Sequence, residues 1–341
     1  MGGAAWGTGA SDVAAWGAGA VGAAGRGAAG VEGGVGERPA ILTSARAEQR
    51  GVTRRELERA VRDGTLVKVR RDAYVDAARW ASWDEAARHR ARVVAAAERM
   101  PGTVFSHESA AALWRMPLIG RWPADVTATS RHLGGGRAHP GVRRRTTTAT
   151  TPVALVDGLV ATTPGRTALD LARTRTFACG LAAADHALRG RLTTAGELQA
   201  QARALGARRG ALAARRVAEN ATADAESVGE SLSRARMLEL GLPRPELQVA
   251  IRDRAGLIGR VDFWWPAVRL VGEFDGRVKY RVDGIGDVRP LEERLWAEKR
   301  REDRLRAVVA GVVRWTWDDA WDIDRFAALL ARAGLTPTTP A

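Results

Sequence analysis

Apolar residues recur along this chain at two spacings, and the elements change where the spacing changes. In "ILTSARAEQRGVTRRELERAVRDGTLVKVRRDAYV", residues 41–75, the pattern predicts two short helices and then a two-stranded hairpin. Gly51 ends the first helix, and Thr53 with Glu56 forms a TxxE capping box that opens the second. Leu57, Ala60 and Val61 give that helix a buried face, and Gly64 stops it. Alternation in "LVKVRRDAYV", with a turn at Arg71 to Ala73, completes the hairpin. From about Asp76 to Leu205 strand and helix signals mix. "VFSHESAAALW" reads as a strand end entering a helix, and "TPGRTALDLARTR" and "ACGLAAADHALRGRLTTAGELQAQARAL" carry apolar residues at helical intervals.

From Ala223 the order changes to helix, three strands, helix, strand, helix. "AESVGESLSRARMLELGLPRP" is the first helix, closed by Gly241 and Pro243. "ELQVAIRDRAGLIGRVDFWW" gives two strands around a "DRAG" turn, and "AVRLVGEFDG" gives the third. The amphipathic "LEERLWAEKRREDRLRAVVAG" then leads to the apolar run "VVRWTW", which suits a buried strand added in parallel, and to the helix "DIDRFAALLARAG". The expected fold class is therefore α/β, α+β overall. Residues 1–38 form a Gly/Ala-rich disordered segment, 39–76 a winged helix-turn-helix, 77–205 a mixed α+β domain, 206–222 a basic helical connector, and 223–335 an αβββαβ sandwich.

Composition narrows the partners. The 341 residues have room for two or three domains. The formal charge of +14 points to a polyanion, nucleic acid first. Nearly all the cations are Arg, since Lys occurs only at Lys68, Lys279 and Lys299, a bias that a GC-rich genome also produces. The single Cys179 excludes an intramolecular disulfide and a thiolate metal cluster, fits a reducing cytoplasm and reads as core filler. No run of about eighteen apolar residues is present to span a bilayer. The opening segment lacks the basic start and apolar core of a secretion signal, and reads as low-complexity sequence, even as translated upstream sequence.

Two groups of residues carry candidate chemistry. Arg54, Arg55, Arg59 and Arg62 face outward from the second helix, the way a helix-turn-helix protein presents guanidinium to guanine edges in the major groove. Lys68, Arg70 and Arg71 on the wing would hold phosphates. A solvated basic face on a small helical subdomain is the plainer alternative. The second group lies in "GRVDFWWPAVRLVGEFDGRVKY", where Asp262, Glu273 and Asp275 stand among Val, Phe and Trp. Carboxylates are rarely buried in such company unless paired or metal-bound.

Glu273 and Asp275 alternate onto one face of their strand. A hairpin turning at Pro266 and Ala267 puts Asp262 opposite Val271, with its side chain on the face of Glu273, whereas a slip of one residue sends it to the other side. Three converging carboxylates raise one another's pKa unless a cation intervenes. Mg2+, or Mn2+ in its place, is the natural cation for oxygen ligands beside a phosphate, able to activate water for in-line displacement. Acidic decoration of a surface sheet is the alternative. Lys279 and Lys299 follow the acids and could orient water or stabilise the phosphorane. Glu230 and Arg301, on the flanking helices, could complete the site. His107, Asp170, Asp185 and His186 match no ligand spacing and read as structural.

The residues "AESVGES", "GLPRPELQ", "GRVDFWW", "VGEFDGRVKY", "AEKRREDRLR" and "VVRWTWDD" together resemble a domain related to the very-short-patch-repair endonucleases of the PD-(D/E)xK superfamily, over about Glu226 to Asp319. The resemblance implies a restriction-endonuclease-like sandwich in which Asp262 and Glu273 bind a divalent metal and Glu230 assists. It departs from the superfamily motif at Asp275, which stands where the lysine belongs, as in the repair-like branch; that leaves Lys279 or Lys299 as a migrated substitute. From about Ile41 to Leu205, "GVTRRELERAVRDGTLVKVRRDAYV", "SHESAAALW" and "TPGRTALDLAR" are similar to the abortive-infection type IV antitoxin regulator. That similarity implies DNA binding and neutralisation of a toxin protein encoded nearby. The sequence thus supports a DNA endonuclease of phage defence, repair or a mobile element, or a DNA-binding regulator whose nuclease-like domain is inactive. An enzyme on RNA is the third reading, and the exposed aromatic pairs that favour single strands are missing from the pattern.

Overall fold

A computed structural model describes residues 39–130, 140–146, 151–276 and 291–338. Residues 1–38 and Lys279 lie outside the described residues. The protein is of the α/β class, with helices beside mixed and antiparallel sheets. The chain divides into two compact units at Asp170/Leu171, within one helix.

The first unit begins with β1 (Leu42–Thr43), α1 (Ser44–Glu48), α2 (Arg54–Arg62), β2 (Leu66–Arg70) and β3 (Ala73–Asp76). Gly51 takes φ +78°, the left-handed conformation a helix-ending glycine supplies. The capping box forms as the sequence requires: the Thr53 N–H donates to Glu56 Oε2 at 2.7 Å and the Glu56 N–H donates to Thr53 Oγ1 at 3.4 Å. Leu42, Ala47, Leu57, Ala60, Leu66 and Tyr74 close a small core under the two helices and the antiparallel sheet β1-β3-β2. The chain continues through α3 (Ala77–Ser82), α4 (Glu85–Ala97), β4 (Val104–Phe105), α5 (His107–Leu113), β5 (Val126–Ser130), β6 (Val142–Thr146), β7 (Val153–Val156), β8 (Leu159–Thr162) and α6 (Pro164–Thr174). A five-stranded sheet, ordered β6-β5-β4-β8-β7, forms from these strands.

The second unit opens with α7 (Phe177–Arg189), α8 (Ala195–Ala204) and α9 (Ala211–Asn220). α7 packs against α9 and against α10 (Val228–Glu239), so this helical layer belongs with the C-terminal sheet. The remaining order is β9 (Glu246–Asp253), β10 (Gly256–Trp265), β11 (Leu270–Phe274), α11 (Leu291–Val308), β12 (Gly311–Trp315), α12 (Trp317–Trp321) and α13 (Ile323–Arg332). The sheet runs β12-β11-β10-β9, with β11 and β12 parallel and the other pairs antiparallel. That is the αβββαβ order read from the sequence.

Phe263, Trp265 and Trp315 pack on one side of this sheet, with Phe326 of α13 set edge-on to Trp315. Burial of each such side chain contributes about 1.5–3 kcal/mol. Val261, Val271, Leu305 and Val309 form a second core cluster that fixes α11. α10 comes so close to β11 that a β-carbon at Gly229 would overlap the Phe274 ring, and this approach sets the position of the next residue, Glu230.

Candidate active site

The ladder between β10 and β11 pairs Phe263 with Gly272, Trp264 with Val271 and Trp265 with Leu270, so the next position sets Asp262 across from Glu273. The expected partner was Val271. The turn is longer than a two-residue hairpin: Pro266–Val268 form a 3-10 turn and Arg269 follows at φ +49°. The register moves by two residues from the one expected.

Asp262 Oδ2 accepts the Phe274 N–H at 2.9 Å, tying its carboxylate to the strand that carries Glu273. Glu273 accepts from two arginines, Arg301 Nη2 of α11 to Oε1 at 2.8 Å and Arg314 Nε of β12 to Oε2 at 2.9 Å. Burial pushes the Glu273 carboxyl upward, but these two guanidinium groups outweigh it and hold the pKa below the usual range. Arg314 also reaches Glu302 Oε2 at 3.4 Å, extending the network along α11.

Glu230 enters from the first turn of α10, where Ser227 caps the helix by accepting the Glu230 N–H at 3.1 Å. Its Oε2 accepts the Glu226 N–H and the Gln248 side-chain N–H, each at 2.9 Å. Burial raises the pKa of Glu230, and the charge of Asp262 pushes in the same direction against these hydrogen bonds. Gln248 holds its contact from a left-handed backbone, φ +54°, within β9.

The donor set of Glu230, Asp262 and Glu273 is all oxygen, the chemistry a hard divalent cation takes. Asp262 and Glu230 fit such an ion, while Glu273 joins them only by giving up Arg301 or Arg314. Among the described residues, no three His, Cys, Asp or Glu side chains come together as a metal-holding group. Asp275 lies just past the end of β11, with its N–H donating to Trp315 O at 2.8 Å. Lys299 does not meet the acids as expected. It is exposed on α11 with Nζ 5.4 Å from the Trp296 ring centroid. At about 100° per residue it stands some 200° round the helix from Arg301.

Arg55, Arg59, Lys68 and Arg71 are exposed, and Arg54 is exposed but bonded to Glu58 at 3.0 Å. Arg70 is a correction. Its guanidinium donates to the carbonyls of Pro140 at 2.7 Å and Gly141 at 3.0 Å, and burial lowers its pKa, so it braces the fold. Asp170 pairs with Arg166 at 3.0 Å. Asp185, buried in α7, accepts from Arg234 at 2.6 Å, from Ser231 at 2.8 Å and from the Thr222 N–H at 2.8 Å, anchoring the helix that carries Glu230. Cys179 is buried. The sequence reading missed Gln248 and Arg314. Gln248 looked like an ordinary strand residue, and only the parallel register setting Arg314 beside Glu273 reveals the other.

No helix among the described residues is long and apolar enough to cross a membrane. No protein-family profile matches the chain. It is 38% identical over 143 residues to two proteins of Mycobacterium tuberculosis, "Uncharacterized protein MT2308" of strain CDC 1551 / Oshkosh and "Uncharacterized protein Rv2248" of strain ATCC 25618 / H37Rv. The match covers 40% of this chain and 53% of each relative, so the chain spans about half the length of the curated relatives it matches.

Proposed function

We propose that the protein is a metal-dependent DNA endonuclease of the very-short-patch-repair-like, PD-(D/E)xK kind, brought to duplex DNA by its N-terminal basic helix and wing. One observation carries this reading: Asp262 Oδ2 accepts the N–H of Phe274, the residue after Glu273, at 2.9 Å, while Glu230 enters on the helix packed against the same strand. Asp262 and Glu230 would hold Mg2+ or Mn2+. When bound, the ion supplies water activation and stabilises charge on the phosphodiester. Gln248 orients Glu230, and Arg301 and Arg314 offer guanidinium groups of the kind that pair with phosphate.

A second reading has its own support. Both oxygens of Glu273 are held by arginines, and Asp275 stands where the superfamily motif has lysine. On this reading the chain is a DNA-binding regulator or type IV antitoxin, cytoplasmic, acting on a toxin encoded nearby, with a silent nuclease-like domain. Purified protein, supercoiled plasmid and Mn2+ separate the two. The nuclease reading predicts nicking that Asp262→Ala abolishes while a gel shift on duplex DNA persists. A gel shift without nicking leaves the regulator, and nicking that survives in Asp262→Ala removes these carboxylates from the chemistry.

A further inference from the structure

A groove of about 400 Å³ lies between the C-terminal end of α9, α10 and the start of β9, within the size range of small-molecule sites. Met237, Leu238, Leu242 and Leu247 give it an apolar lining. Its charged lining is mostly of one sign. Glu219 and Asp224 reach it from the end of α9 and the loop beyond, and Glu246 from the first residue of β9. Arg234 also lines the groove, but its guanidinium is committed to Asp185 Oδ2 at 2.6 Å and to the Asn220 carbonyl at 2.5 Å. That leaves the exposed Arg244 to face three carboxylates.

Those carboxylates have no cations of their own. Among the described residues Glu219, Asp224 and Glu246 form no ion pair, and the Asp224 carboxylate accepts only the Thr222 hydroxyl, at 2.7 Å. In a chain of formal charge +14, an excess of unpaired carboxylates around one apolar groove runs against the balance of the whole. Asn220, which lines the same groove, adds a second and separate demand. Its Nδ2 donates to Arg216 O at 2.7 Å, which fixes the amide orientation. Its Oδ1 is buried and, among the described residues, accepts no hydrogen bond. A buried acceptor without a donor is uncommon and costly, so the groove calls for donors as well as positive charge.

The chemistry selects the ligand. An ammonium group brings one positive charge and three N–H donors and has no acceptor to repel the carboxylates. A methylene chain covers apolar surface while its charged end meets polar groups, as a lysine stem does. A phosphate or a carboxylic acid would face like charge, and a hydrated metal ion would leave the apolar lining uncovered. One ammonium would answer only part of the excess. We infer that this groove is a binding site for an aliphatic polyamine, two or more ammonium groups joined by methylene chains. The inference stands apart from both readings of the function, since it uses none of the residues on which they rest.

Isothermal titration calorimetry of the nucleic-acid-free full chain tests it, with spermidine as the probe and butylamine as the singly charged comparison. Physiological salt screens the general field, which in this basic chain repels cations in any case. Wild type should take up about one equivalent of spermidine saturably and bind butylamine at least about fivefold more weakly. Glu219→Gln and Glu246→Gln should each weaken spermidine by about two- to fivefold, the scale of one ion pair at a protein surface. Both side chains are exposed, so both variants keep the fold. Glu48→Gln, an exposed acid of the first unit, should leave binding unchanged. Absence of saturable binding by wild type, equal affinity for butylamine, or spermidine binding that survives both Glu219→Gln and Glu246→Gln undiminished overturns the inference.

Discussion

Asp185 offers the sharpest test of how this fold holds its candidate site. Its carboxylate is 1% exposed and meets an Arg234 side chain that is 13% exposed. Asp185→Ala deletes the acceptor of three hydrogen bonds and leaves a guanidinium largely out of water with no counter-charge. Removing one partner of a buried pair costs about 3–5 kcal/mol. The double variant Asp185→Ala/Arg234→Ala removes the stranded charge as well. Its loss should therefore fall short of the sum of the single losses by about 1–3 kcal/mol, the coupling expected of contacting residues. Urea unfolding followed by far-UV circular dichroism, with the m-value compared between variants, reads both quantities. A loss below about 1 kcal/mol for Asp185→Ala would refute the reasoning, because a buried charge stripped of its counter-charge cannot be that cheap. Ser231 and Arg234 flank Glu230 on α10, so the same variant should also weaken any activity that needs Glu230.

The pH dependence of Glu230 has a definite sign. Burial and the Asp262 charge raise its folded pKa above the unfolded value of about 4.3, so its contribution to stability is full below that value and is lost as pH rises through the folded pKa. Glu230→Gln should therefore gain on wild type between pH 4 and pH 7 in urea midpoints, and a difference independent of pH contradicts the assignment. Arg70→Ala should lose about 1–3 kcal/mol of stability from its two carbonyl bonds yet leave the salt dependence of duplex binding unchanged. Arg54→Ala/Arg55→Ala should do the opposite, holding stability within about 0.5 kcal/mol and weakening the gel shift. The pair of variants exchanging these behaviours would overturn the division between bracing and binding residues.

Local signals were legible because they act locally. The Thr53–Glu56 box, the Gly51 turn and the order of elements from Ala223 depend on residues close together in the chain, and the sequence reading of each agrees with the fold. Strand alternation led to the expectation of one face for Asp262 and Glu273, but their register depended on a turn whose length only the backbone settles. Arg70 looked like its neighbours on the wing until carbonyls about seventy residues away claimed it. Lys299 was singled out by its rarity and as a migrated substitute for the motif lysine, and helix phase carries it away from Arg301. Arg314 was hidden in an apolar run because its role comes from a parallel strand pairing across a long connection.

Possession of one divalent ion by Glu230 and Asp262 is the central claim, and Mn2+ electron paramagnetic resonance tests it without substrate. Wild type should remove about one equivalent of Mn2+ from the free-ion signal, Asp262→Asn should leave that signal intact, and Arg314→Ala should tighten binding by freeing an oxygen of Glu273. A wild-type protein that leaves Mn2+ free, or an Asp262→Asn variant that binds it as well as wild type, would contradict the account.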